Sequence, residues 1–123
     1  MIYRCGIIEE SLENKEILHE LSKYLVKQRV QDMPEDTEKI WHINEYHLPK
    51  GIIETVCSRL QKLIKKSWYI HAFNEQENVM YVVLRNKYFK LPVRKDESWE
   101  EMIEYGLSVG IERKWTENIP ASV

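Results

Sequence analysis

Trp68-Tyr-Ile-His-Ala-Phe73 and Val79-Met-Tyr-Val-Val-Leu-Arg85 flank the polar stretch Asn74-Glu-Gln-Glu-Asn78. Two β-rich runs about a short turn predict an antiparallel hairpin. Downstream, Tyr88 to Leu91 follows a turn at Asn86-Lys87 and is stopped by Pro92, which adds a third short strand. Upstream, Ile52, Ile53, Val56, Cys57, Leu60, Leu63 and Ile64 recur with the helical period. The strand expected over Ile40 to Leu48 precedes that helix and ends at Pro49 and Gly51.

The rest of the chain attaches to this centre. Ile2 to Ile8 reads as an opening strand. Ile17, Leu18, Leu21, Tyr24 and Leu25 form one stripe of a first helix, and Val26 to Lys39 reads as a connection with a flexible loop near residues 31–38. Ser98-Trp-Glu-Glu101 has capping-box spacing and opens a last helix bearing Trp99, Met102, Ile103 and Leu107; Gly110 is placed to close it, and 115–123 form a tail. The order predicts one α+β domain over 1–123: an antiparallel or mixed sheet with helices on one face, in ferredoxin-like outline.

Composition narrows the function classes. A chain of 123 residues, 43% apolar and 31% charged with four Gly and four Pro, is that of an ordered domain. Charged Glu9 and Glu10 follow the first apolar residues at once, which argues against a leader, and no apolar run approaches the roughly 20 residues of a membrane span. A cytoplasmic protein with no membrane association is expected. Cys5 and Cys57 share no metal-ligand spacing and are read as buried, reduced core residues.

No phosphate-binding glycine loop, nucleophile elbow or paired-histidine helix occurs, and no cofactor is implied. Strand alternation is more informative. Across the three central strands one face receives Trp41, Ile43, Trp68, Ile70, Ala72, Met80, Val82 and Leu84 as the core, and the opposite face receives His42, Asn44, Tyr46, Tyr69, His71, Phe73, Tyr81, Val83 and Arg85. An aromatic, imidazole-rich face calls for a cover. The tail with Trp115, or a second copy in a homo-oligomer, supplies one, and a non-enzymatic binding or self-assembly module using this face is the first reading. A small-molecule ligand held by His42, Tyr69, His71, Tyr81 and Arg85 is the alternative. On the same alignment His71 and Tyr81 would reach one substrate, giving a small hydrolase-like enzyme with an acid–base site around His71. A metal site lacks a third ligand. The paired acids Glu9 and Glu10 read as helix-start residues.

Residues 59–95 hold nine basic side chains (Arg59, Lys62, Lys65, Lys66, Arg85, Lys87, Lys90, Arg94, Lys95) against Glu75 and Glu77, within a chain of net charge −2. Single-stranded RNA binding by this segment is a third reading. The acidic pI of about 6.1 and the lack of an RNA-recognition strand argue against nucleic acid.

Trp41-His-Ile43, the Trp68 to Phe73 run, Met80-Tyr-Val-Val-Leu84 with Lys87-Tyr-Phe89, Trp99 through Ile103 to Tyr105-Gly106, and Gly110-Ile111 together resemble a family of short bacterial and archaeal proteins with no assigned activity. The resemblance spans about Leu21 to Glu112 and implies no site residue.

Overall fold

In Ile2–Ile8 (β1), Tyr3, Cys5 and Ile7 alternate with more exposed neighbours and are buried to 2%, 1% and 0% exposure. This period-2 pattern places β1 in the middle of a sheet. The computed structural model describes residues 1–123. In it β1 pairs antiparallel with Ile40–Pro49 (β3) on one side and with Ile70–Asn74 (β4) on the other. Because β3 and β4 both oppose β1, they run parallel to each other, and the helix Ile53–Leu60 (α2) connects them across the intervening strand. This split βαβ unit is the part of the ferredoxin-like outline that the chain adopts. The remainder is a meander: β4, Val79–Leu84 (β5) and Lys87–Leu91 (β6) follow one another, and Leu25–Asp32 (β2) pairs outside β3. The sheet order is β2-β3-β1-β4-β5-β6, all antiparallel.

The expected α+β class and antiparallel sheet are present, but the helices cover both faces. The turn between β4 and β5 decides this. Asn74 pairs with Val79 across four residues, so Ile70 lies opposite Val83 and Ala72 opposite Tyr81. Opposed residues share a face. Ile70, Ala72, Tyr81 and Val83 therefore join Tyr3, Cys5, Ile7, Tyr46 and Leu48 beneath α2, while Phe73, Met80, Val82 and Leu84 pack against Trp99–Ser108 (α3) on the other side. The expected grouping of Ile70 with Met80 differs from this register by one residue, because Met80 lies opposite Phe73. Cys5 and Cys57 lie in the first core, where burial pushes both thiols up, Cys57 to about 12.

The first helix is shorter than its stripe suggests. Asn14 Oδ1 accepts from the Glu16 N–H at 2.8 Å to start Glu16–Glu20 (α1), and a single 3-10 turn at Ser22–Tyr24 leads into β2. Val26 to Asp32, expected as a connection, is strand; only Met33 to Lys39 joins β2 to β3. The capping box is not formed. Ser98 turns back to Asp96, whose Oδ1 accepts from the Ser98 N–H at 2.8 Å, so Asp96 caps the turn that opens α3. Gly110, at φ +87°, ends α3 as expected: Ile111 N–H donates to Gly106 O at 2.9 Å and Gly110 N–H to Leu107 O at 3.1 Å, a Schellman closure. The short helix Arg113–Thr116 (α4) follows.

Candidate functional site

The five residues expected to form one site are divided by the sheet. His42, Tyr81 and Arg85 belong to the α2 side, and Tyr69 and His71 to the α3 side. His71 and Tyr81 therefore cannot reach a common substrate through the intervening backbone, and an acid–base site that joins them is not assembled.

Tyr81, Arg85 and His71 are engaged locally. Tyr81 donates to Glu54 Oε2 at 2.9 Å and meets Tyr3 edge to face, with ring centroids 5.5 Å apart. Arg85 Nη1 donates to the Ile64 carbonyl at 3.0 Å and lies 3.1 Å from Glu13. His71 stacks on Phe73 at 5.5 Å beside Tyr69, and its Nε2 bonds the Ser122 carbonyl at 2.7 Å. The tail covers this face, as one of the sequence readings has it, through Ile119, Ala121 and Val123. Trp115 takes no part and is 59% exposed. Gly6 permits the close approach: a Cβ there would stand 3.0 Å from a Val123 methyl and 3.3 Å from the His71 ring.

Burial holds the His71 imidazole below its ordinary value, against the opposing effect of the Ser122 bond and with the Arg4 charge acting in the same direction as burial. The unfolded chain protonates this residue near pH 6.5 and the folded chain only at lower pH. His71 therefore contributes its full stability above about pH 6.5, and that contribution is lost as pH falls through the folded value. Urea unfolding at pH 8 and pH 5.5 is expected to show a loss specific to the wild type, at most about 1.4 kcal/mol, when set against His71→Phe. Equal pH dependence in the two proteins would mean that His71 titrates as if exposed.

β3 carries two carboxylate attachments that local sequence reading assigned to a helix start. β1 stops pairing at Ile8, opposite Ile43. The next N–H of β3, that of His42, donates to Glu10 Oε1 at 2.7 Å, and His42 Nδ1 meets Glu10 Oε2 at 2.6 Å. The bonds from His42 hold the Glu10 carboxyl below its ordinary range despite its desolvation. Glu9 Oε2 in turn accepts from Asn44 Nδ2 and Gln28 Nε2, both at 3.0 Å, and Asn44 Nδ2 also donates to the buried Tyr46 hydroxyl. The carboxylate fixes the His42 ring as it would a general base. The Ser11 hydroxyl, next to Glu10 in the chain, donates to the Ile8 carbonyl at 2.7 Å.

An open cleft of about 330 Å³ lies on the α2 side among Tyr3, Tyr81, Glu54, Glu77, Lys50 and Lys90. Most of its polar groups are paired with one another. Tyr3 donates to Glu77 at 2.9 Å, Lys50 holds the same carboxylate at 3.0 Å, and Glu54 accepts from Tyr81 and Tyr88. Burial, reinforced by Glu77, pushes the Tyr3 phenol up to about 12, and burial with Glu54 raises Tyr81 likewise, so both are neutral donors. Three of the nine basic residues of 59–95 are also paired with acids from outside that segment: Arg59 with Glu20, Arg85 with Glu13 and Lys87 with Glu101. No group of three His, Cys, Asp or Glu side chains is gathered to hold a metal ion, and no helix is long and apolar enough to cross a membrane.

The outer edge of β2, the terminal strand of the sheet, pairs with no other strand. All eight of its residues are exposed, with Val26 at 53% and Val30 at 61%, beside Ile40 at 48% on β3. A bulge is confined to Leu25–Lys27; from Lys27 opposite Glu45 to Asp32 opposite Ile40 the register is unbroken. Lys27, Arg29 and Gln31 share one face, and Gln28, Val30 and Asp32 the other. The opposite sheet edge, β6, has five residues, bears Lys87 and Lys90, and is followed by Pro92. Short length, lysine, bulges and proline are the usual guards of a free edge; β2 carries Lys27 and the bulge at its start but has the greater length and no proline.

No family model, curated protein or solved structure matches the chain.

Proposed function

We propose that this chain is a non-enzymatic binding module that takes an extended polypeptide as a seventh strand along β2. The observation that carries the reading is the regular, fully exposed edge from Lys27 to Asp32, with Val30 uncovered, in a molecule whose own helices and tail occupy the sheet faces over β1, β4 and β5. Strand addition draws affinity from main-chain hydrogen bonds and specificity from alternate side chains, and a row of unpaired N–H and C=O groups is its template. The self-paired polar groups of the cleft favour binding over catalysis. Two buried free thiols suit a reducing compartment, which supports a cytoplasmic setting.

Panning a library of nine-residue linear peptides tests this. Successive strand residues point their N–H groups to opposite edges, so of Val30→Pro and Gln31→Pro one removes an outward donor and leaves the β2–β3 ladder intact. Circular dichroism identifies the variant that keeps its fold. The expected result is that peptides enriched on the wild type protect β2 amides from hydrogen exchange and bind that variant about tenfold more weakly, a lost hydrogen bond plus ring obstruction. Enriched peptides that bind both proteins equally would place the binding elsewhere.

A further inference from the structure

We infer that the polypeptide taken up by β2 is an acidic one that is not a second copy of this chain: an extended segment with carboxylates at alternate positions and apolar side chains between them. The inference rests on the strand-addition reading and adds the chemistry of the partner.

It begins with two cations that have no carboxylate. Lys27 and Arg29 lie two residues apart on one face of β2, about 7 Å along the strand. Glu45, directly opposite Lys27, is already held by Arg4 at 2.8 Å and by His47 at 3.0 Å. The Arg29 guanidinium finds only the neutral Gln31 amide, at 2.9 Å. On the other face Gln28 lies between them, and Val30, 61% exposed, follows Arg29. Opposed side chains of a newly paired strand share a face with their partners, so carboxylates two residues apart would meet Lys27 and Arg29, and an apolar residue next to the one that meets Arg29 would lie opposite Val30.

The same geometry disfavours self-pairing. An antiparallel pair of β2 strands about a two-fold axis normal to the sheet keeps each face on its own side. It would gather Lys27 and Arg29 of both copies on one face, with the only acid of the strand, Asp32, on the other. Like charges in opposed or diagonal positions are destabilising.

The test uses two labelled synthetic peptides of nine residues, one alternating Glu and Val and one alternating Lys and Val, titrated by fluorescence anisotropy at low salt. The protein is used as wild type and as the exposed double variant Lys27→Glu/Arg29→Glu, with hydrogen exchange to locate binding. The expected result is that the Glu–Val peptide binds the wild type about tenfold more tightly than the Lys–Val peptide, protects residues 27–32, weakens with salt, and that the preference inverts in the double variant. Equal binding of both peptides at 27–32 overturns the acidic partner and leaves strand addition standing. So does a wild-type dimer, seen by light scattering, that protects the same amides. A Glu–Val preference that survives charge reversal overturns the assignment to Lys27 and Arg29. Tighter binding of an oligouridine than of the Glu–Val peptide at these residues overturns a polypeptide in favour of RNA. Binding of neither peptide, without self-association, overturns strand addition itself.

Discussion

Trp99→Ala is expected to destabilise the fold by about 3–5 kcal/mol, the range for removing a large ring from a packed core. Trp99 sits at the start of α3 at 2% exposure, in the cluster formed by Phe73, Met80, Leu84, Phe89, Leu91, Met102 and Ile103. Its ring is held by more than contact. Nε1 donates to the Pro92 carbonyl at 2.8 Å, so one side chain ties the end of β6 to the first turn of α3. Truncation opens a cavity and also leaves the Pro92 carbonyl without its donor. The strands beneath cannot sink to fill the gap, because their positions are fixed by the β4–β5–β6 ladders. Trp99→Phe, which keeps most of the ring and loses only the N–H and the second ring, separates the two contributions and should cost clearly less. Guanidinium unfolding followed by far-ultraviolet circular dichroism measures both. A loss below about 1 kcal/mol for Trp99→Ala would mean that α3 does not bury this face of the sheet.

What could be read from the sequence follows from where each signal is stored. The α2 stripe, the β4–β5 hairpin and the Gly110 closure depend on residues within a few positions of one another, and all three are present. The faces of the sheet needed one further number, the register of the hairpin. Four residues between Asn74 and Val79 give paired positions whose numbers sum to an odd value, and this puts Ile70 with Val83. The Asn74 side chain accepting from the Glu77 N–H at 2.9 Å, and Asn78 at φ +55°, are the local features that fix that turn. A register shifted by one residue would put His71 and Tyr81 on one face; in the fold they lie on opposite sides. β2 was missed for a different reason. An edge strand open on both faces has no apolar alternation to display, and Lys27, Gln28, Arg29 and Gln31 read as a loop. The attachments of Glu9 and Glu10 span 35 and 32 residues to Asn44 and His42, beyond the reach of any spacing rule. The candidate docking edge was thus invisible for the property that makes it one: nothing in the chain covers it.

The second large effect is expected on the other face. Leu60→Ala should cost about 2–5 kcal/mol, since Leu60 is 1% exposed at the end of α2 and belongs to the core with Ile64, Ile70, Tyr81 and Val83. Where in that range it falls depends on how far the surroundings can close on the vacated volume. The strand residues below are held in register by β1, β4 and β5, and the chain beyond α2 is anchored by Glu13 N–H to Leu63 O and Lys65 N–H to Ser11 O, both at 2.8 Å. With both walls fixed, little collapse is available, and the upper half of the range is expected. Because the sheet stands between the two cores, the disturbance should also stay on its own side. In methyl spectra of Leu60→Ala, Ile53 and Ile70 should shift while Ile103 and Met102, under α3, keep their wild-type positions. Large shifts at Ile103, or a cost below about 1 kcal/mol, would contradict a sheet with two separately packed faces.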